Sequence, residues 1–145
     1  MRIVLQRVSH AKCTVDGTVT GQINKGYMLL VGFTHTDTEA TIEKACKKMT
    51  NFRIFEDENG KMNLNLATVK GEILSISQFT LYANTLEGNR PSFTEAMAPD
   101  KAIELYKKFN ELLRNNGFNV YEGIFGAHMD IELLNDGPVT ICFEF

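Results

Sequence analysis

The chain has 145 residues, 43% hydrophobic and 23% charged, with a formal net charge of -3. That length suits one domain with a real core, and that balance excludes both a disordered chain and a membrane protein. The negative charge excludes a protein that grips nucleic acid by bulk positive potential, so any RNA contact must be local and light in phosphate contacts.

Residues 1–9 read as a strand with Ile3, Leu5 and Val8 in an apolar run. Arg7, a charge within that strand, reads on sequence alone as a snorkelling surface residue. Residues 12–15 and 18–23 flank Asp16-Gly17, a two-residue turn signal, and predict a hairpin. Gly26 opens Tyr27-Met-Leu-Leu-Val-Gly-Phe, apolar on both faces and therefore a central strand. The period then changes. Thr36 with Glu39 fits a capping box, and Ala40, Ile42, Ala45, Cys46 and Met49 form the stripe of a surface helix ending near Asn51. Its Lys44, Lys47 and Lys48 read first as a solvated face and second as a small phosphate-facing patch.

Residues 52–55 predict a short strand closed by the turn Asp57-Glu-Asn-Gly60, while residues 63–66 are ambiguous. Residues 71–83 predict one long strand. It ends in Ser77-Gln78-Phe79-Thr80-Leu81-Tyr82-Ala83, where hydroxyl and amide side chains interrupt an apolar run, and the loop Gly88-Asn-Arg-Pro-Ser-Phe follows. Such a strand end is either a solvated turn or a site. A second helix starts at Pro99, buries Ala102, Tyr106, Phe109 and Leu113, and stops at Asn115-Asn116-Gly117. Residues 119–121 look extended, residues 129–134 alternate, Asn135-Asp136-Gly137-Pro138 predicts a turn, and residues 139–145 a last strand. The order is ββββ-α-ββ-α-βββ, one α+β domain over residues 1–145.

Cys13, Cys46 and Cys142 form no CxxC pair, and no zinc-ligand spacing involves His10, His35 or His128. Buried thiols in a reducing cytoplasm are expected. The N-terminal run is too short and too charged for a signal peptide, and no apolar run approaches a membrane span, so a cytosolic protein is expected. Ser77, Thr80 and Ser92 are candidate nucleophiles, but such hydroxyls need a positioned base. No G-x-S-x-G elbow exists, and His128 reads as structural. No metal, phosphate-cradling or dinucleotide motif is present. What remains is catalysis by backbone amides, which side-chain motifs do not reveal. Gly137-Pro138 reads as a simple turn or, more sharply, as a cis peptide whose adjacent carbonyls accept an ammonium group.

Gln6-Arg7-Val8, Ser77-Gln78-Phe79-Thr80-Leu81, Gly88-x-Arg90-Pro91-Ser92-Phe93 and Asn135-Asp136-Gly137-Pro138-Val139-Thr140 together resemble one family, the D-aminoacyl-tRNA deacylases of the bacterial and eukaryotic type. The resemblance spans the chain, with the motifs in the family's order and spacing. It implies a small β-barrel-like α+β fold of mostly antiparallel sheets with two helices, and a cytoplasmic homodimer with its sites at the interface. It implies hydrolysis of the ester in D-aminoacyl-tRNA, and in glycyl-tRNA mischarged on the alanine tRNA, without metal or cofactor. Ser77, Gln78, Phe79 and Thr80 would carry catalysis, their strand amides facing the ester. Gly137-Pro138 would be cis and enter the partner subunit's pocket to hold the α-amino group, braced by Arg7. Phe125, Met129 and Ala102 would line the adenosine side, with Arg90 a further substrate contact. Chirality would follow from exclusion of an L side chain by the Gly-Pro carbonyls. Thr80 is a nucleophile or only a wall residue; attack by water, assisted by the ribose 2′-hydroxyl, is preferred. Two departures stand out. Glu87 occupies a place where the family often carries a basic residue, and His128 lies at a variable place in its motif. A non-catalytic RNA- or protein-binding module and a general small-ester hydrolase are the alternatives.

Overall fold

A computed structural model of the protein describes residues 1–86 and 88–145; Glu87, and with it the departure from the family noted at that position, lies outside the described residues. The architecture is organised by its first strand. β1 (Arg2–Val15) pairs antiparallel with β2 (Thr18–Ile23) through its second half and with β3 (Gly26–Gly32) through its first half. Along its other edge it pairs with the C-terminal β8 (Asp130–Glu144) over nearly its whole length. β3 continues the sheet to β6 (Glu72–Ser77) and β7 (Val120–Glu122), both added in parallel. The outer strands β2 and β7 then approach one another: a Cβ on Gly21 would sit 3.0 Å from the Glu122 carbonyl oxygen. The sheet is thus a nearly closed barrel. β4 (Arg53–Glu56) and β5 (Met62–Asn65) form a separate hairpin.

Two helices cover the barrel. α1 (Glu39–Asn51) buries Ile42, Ala45, Cys46 and Met49, and α2 (Pro99–Asn115) buries Ala102, Tyr106, Phe109 and Leu113. Both stripes match the helical period read from sequence, except that Ala40, expected in the α1 stripe, is exposed in the helix's first turn. They pack with Ile3, Leu5, Tyr27, Leu29 and Ile73 into the main core. A second, smaller core inside the barrel holds Val8, Ala11, Cys13, Met28, Leu74 and Ile76. No described helix is long and apolar enough to cross a membrane.

Several expectations are corrected. The two strands read over 1–9 and 12–15 are one, and so are the two read over 129–134 and 139–145, because β1 and β8 pair along their length and carry their irregularities opposite each other. Asn135 to Pro138 is therefore no hairpin turn but a bulge inside β8. Asn135 pairs with Val8 and Thr140 with Gln6, leaving the residues between them opposite Arg7 alone. The N-cap of α1 is Thr38, not Thr36; its backbone N–H donates to Thr41 Oγ1 at 3.1 Å. The strand expected over 71–83 stops at Ser77, and Phe79–Tyr82 is a 3-10 turn. Cys142 is exposed, unlike Cys13 and Cys46.

The parallel β3–β6 pairing begins where a side chain has no room. A Cβ on Gly26 would lie 1.9 Å from the Glu72 carbonyl oxygen and 2.7 Å from its nitrogen, both backbone atoms that cannot swing away. Gly26→Ala is expected to lower the free energy of unfolding by about 3 kcal/mol, the upper range for forced overpacking. Urea denaturation followed by circular dichroism measures it.

Candidate active site

β6 is buried through Ile76 and becomes half-buried at Ser77 and Gln78, where the chain leaves the sheet. Gln78 N–H donates to Val31 O at 2.8 Å, the last rung shared with β3, and Leu81 N–H donates to Gln78 O at 3.3 Å. The two amides between them, of Phe79 and Thr80, open the 3-10 turn and have no protein acceptor among the described residues. The Gln78 side chain donates to Thr80 Oγ1 at 2.5 Å. The turn passes so close to β3 that a Cβ on Gly32 would lie 2.8 Å from Gln78 O.

Beside this turn opens a cavity of about 570 Å³, the size of a small-ligand site. One wall is Ser77, Gln78, Phe79 and Ile76, with Val31, Gly32 and Phe33 of the β3 end. The opposite wall is Met97, Ala98, Pro99 and Ala102 at the start of α2, with Phe125 and Met129 from the segment before β8. Among the described residues no Asp, Glu, Lys or Arg lines it. Phe125 packs on Tyr106 with ring centroids 6.0 Å apart, and Tyr106 Oη donates to Ser75 O at 2.7 Å. Burial pushes the Tyr106 phenol up to about 12, so it remains a neutral donor at physiological pH. Among the described residues no cluster of three His, Cys, Asp or Glu side chains is placed to hold a metal ion.

A second constellation lies at the β8 bulge. Arg7 is only 4% exposed. Its Nε–H donates to Asp136 O at 2.9 Å and its Nη1–H to Ile54 O at 2.6 Å, with Asp136 Oδ2 at 3.5 Å and Glu56 Oε1 at 3.7 Å. Asn135 closes the bulge: Val139 N–H donates to Asn135 Oδ1 at 2.7 Å, and the Asn135 amide donates to Thr140 Oγ1 at 3.0 Å. Gly137-Pro138 is a cis peptide and both residues are exposed.

The D-Tyr-tRNA(Tyr) deacylase family matches over residues 4–144. The chain belongs to that family. A protein named D-aminoacyl-tRNA deacylase from Staphylococcus saprophyticus is 58% identical over 144 residues, 99% of this chain and 95% of the relative. The solved structure of a c-Myc DNA unwinding element binding protein is 40% identical, with a TM-score of 0.94 over 100% of this chain and 99% of that one. That of a probable eukaryotic D-amino acid tRNA deacylase, at 18% identity, shares the fold with a TM-score of 0.85 over 98% and 97% of the two chains.

Of the residues the family resemblance singles out, Ser77, Gln78, Phe79, Ala102, Phe125 and Met129 meet around one cavity. Thr80 is exposed next to it, bonded to Gln78 and to none of the histidines. Arg90 is exposed in the loop after the turn and does not line the cavity. Arg7, Gly137 and Pro138 do not line it within one chain either. Two readings of single residues change. Arg7 is buried and not a snorkelling surface charge, because it supplies hydrogen bonds to two backbone carbonyls. His128 is not a structural core residue but stands exposed on the cavity rim, 3.7 Å from Asp130 Oδ1. Sequence reasoning missed Phe33, Met97 and Ile131 as lining residues, since their apolar side chains carry no signal beyond core periodicity. It also missed Ser75 and Asn110, which are polar and fully buried.

Arg7→Lys keeps the charge but replaces a planar fork by a point donor that cannot reach both carbonyls. Unfolding free energy is expected to fall by about 3 kcal/mol, the worth of one or two charge-assisted bonds plus the carbonyl left unpaired. A chemical denaturation curve against wild type checks it.

Proposed function

We propose that this protein hydrolyses the ester linking a D-amino acid to the 3′-terminal adenosine of tRNA. The observation that carries the reading is the cavity at the end of β6, which among the described residues has no Asp, Glu, Lys or Arg in its lining and is flanked by the two amides without acceptors at Phe79 and Thr80. It occurs in a chain 58% identical to a D-aminoacyl-tRNA deacylase.

The chemistry follows from what the site offers. Water adds to the ester carbonyl carbon, and negative charge develops on the carbonyl oxygen. The Phe79 and Thr80 N–H groups donate to that oxygen, a stabilisation that an apolar cavity strengthens because little solvent screens it. The ester bond to the ribose oxygen then breaks, that oxygen takes up a proton, and the free D-amino acid and tRNA leave. No histidine contacts Ser77, Thr80 or Ser92 among the described residues, so the proton path runs through water and the neighbouring ribose 2′-hydroxyl. The Thr80 hydroxyl, bonded to the Gln78 side chain, shapes the turn and is not the nucleophile.

Selection against L-amino acids belongs to the exposed Gly137-Pro138 bulge of a second subunit. In a homodimer its carbonyls enter the cavity and accept hydrogen bonds from the α-ammonium. An L side chain then collides with them, a D side chain points away, and glycine, with nothing to exclude, is accepted. Arg7 supports this role by holding the Asp136 carbonyl from inside the fold. Phe125, Met129 and Ala102 take the adenosine. Chiral proofreading in the cytoplasm is the cellular role this assigns.

The test compares D-Tyr-tRNA, L-Tyr-tRNA and Gly-tRNA with wild type and Thr80→Ala. The expected result is rapid loss of the D and glycyl esters, sparing of the L ester, and activity of Thr80→Ala within about tenfold of wild type, since no covalent acyl-enzyme forms. Persistence of all three esters overturns the reading in favour of a non-catalytic binding module. Equal loss of D and L esters removes the exclusion argument while leaving a hydrolase.

A further inference from the structure

Phe79 and Phe93 form an edge-to-face pair, ring centroids 5.1 Å apart and planes at 71°. Both line the cavity, yet Phe79 is 56% exposed and Phe93 37% exposed. A lone exposed apolar side chain is ordinary, but two aromatic rings in contact at the mouth of an apolar cavity form a surface of another kind. Phe93 is also held firmly. Upstream, Asn84 and Ser92 exchange two backbone hydrogen bonds of 2.7 and 3.0 Å. Downstream, Met97 N–H donates to Phe33 O at 2.9 Å, and Thr34 Oγ1 donates to Glu95 O at 2.6 Å. The loop is thus pinned on both sides of the ring that it presents.

We infer that this pair is a base-stacking subsite for the unpaired nucleotide preceding the terminal adenosine of the tRNA. The inference rests on the deacylase reading and extends it outward. The cavity has the volume of a single small ligand and no charged lining, so it takes the aminoacyl-adenosine end and leaves the rest of the strand outside. The strand leaves the cavity across its mouth, where Phe79 and Phe93 stand. The chain carries a net charge of -3, which makes phosphate attraction a poor source of affinity there. Stacking on an aromatic face needs no positive charge to hold a base.

The decisive measurement changes the RNA before the protein. D-Tyr-tRNA is compared with the same molecule lacking only the base of its penultimate nucleotide. Wild type is expected to show a KM about tenfold higher for the abasic substrate with kcat unchanged, and any of the four bases restores it. Phe93→Leu is expected to show the same KM for both substrates, whereas Phe93→Trp keeps the tenfold difference. Equal KM values for wild type on the two substrates overturn the subsite even if Phe93→Leu fails to fold. A Phe93→Leu enzyme that still discriminates overturns the assignment to Phe93. If wild type hydrolyses D-Tyr-tRNA but ignores the missing base, only this inference falls. If it hydrolyses neither substrate, the deacylase reading falls and takes the subsite with it.

Discussion

The site depends on how closely the chain leaving β6 runs against the end of β3. Val31 O takes the Gln78 N–H at 2.8 Å, and the absence of a side chain on Gly32 lets the Gln78 carbonyl approach. That contact ends the parallel ladder abruptly. A strand that continued would place alternate amides toward a neighbour and satisfy them. The 3-10 turn instead points successive N–H groups the same way, and its first two have no partner among the described residues. A pair of preorganised donors is thereby made from backbone alone, and their orientation needs no rearrangement when charge develops.

Apart from Ser77, Gln78 and His128 the side chains described around the cavity are apolar, which decides how recognition must work in the proposed reaction. Without a charged side chain, neither the ammonium group nor the strand's phosphates can be held by ion pairing inside one chain. Backbone carbonyls for the ammonium, backbone amides for the oxyanion and aromatic faces for the bases are the groups that remain. Each is fixed by main-chain placement, so discrimination rests on geometry more than on titratable chemistry. The buried Arg7 fits this pattern. It points away from solvent and supports the backbone of the β8 bulge through the Asp136 carbonyl.

Much of the fold was legible from periodicity. The stripes of α1 and α2, the central β3 and the Asp16-Gly17 hairpin all appear where 3.6- and 2-residue patterns place them. The failures in reading the strands share one cause. β1 and β8 are each longer than a regular alternation survives, and their irregularities exist only because the two strands face each other. A bulge in one strand of a pair is a tertiary event, and Gly-Pro within it looks locally like a turn. The change from strand to 3-10 turn after Ser77 is likewise set by Gly32, far away in sequence. Polar residues in the apolar run marked where the chain leaves the sheet beside the cavity, but not the backbone geometry found there. Arg7 misled for the same reason: its partners at Ile54 and Asp136 are invisible until the chain folds.

The depth and width of the cavity are set one layer beneath it. Ser75, two residues before Ser77, is fully buried, and its carbonyl accepts both the Tyr106 hydroxyl at 2.7 Å and the Gly123 N–H at 3.4 Å. Asn110 lies one helical turn beyond Tyr106 on the same face of α2 and is also fully buried. The Ser75 hydroxyl and both polar atoms of the Asn110 amide have no partner among the described residues. An all-apolar contact here would be more favourable, since each unsatisfied buried group costs about 1–3 kcal/mol. Apolar packing alone, however, lets a helix slide over a sheet at little cost. A directional bond from Tyr106 to the strand fixes α2 along its axis. Pro99 and Ala102 near the start of α2, and Phe125 packed at a tilt against Tyr106, line the same cavity as Ser77 and Phe79. The spacing of α2 from the end of β6, the two elements that line the cavity, is therefore fixed in part by a hydrogen bond, while the apolar core supplies the stability that tolerates it.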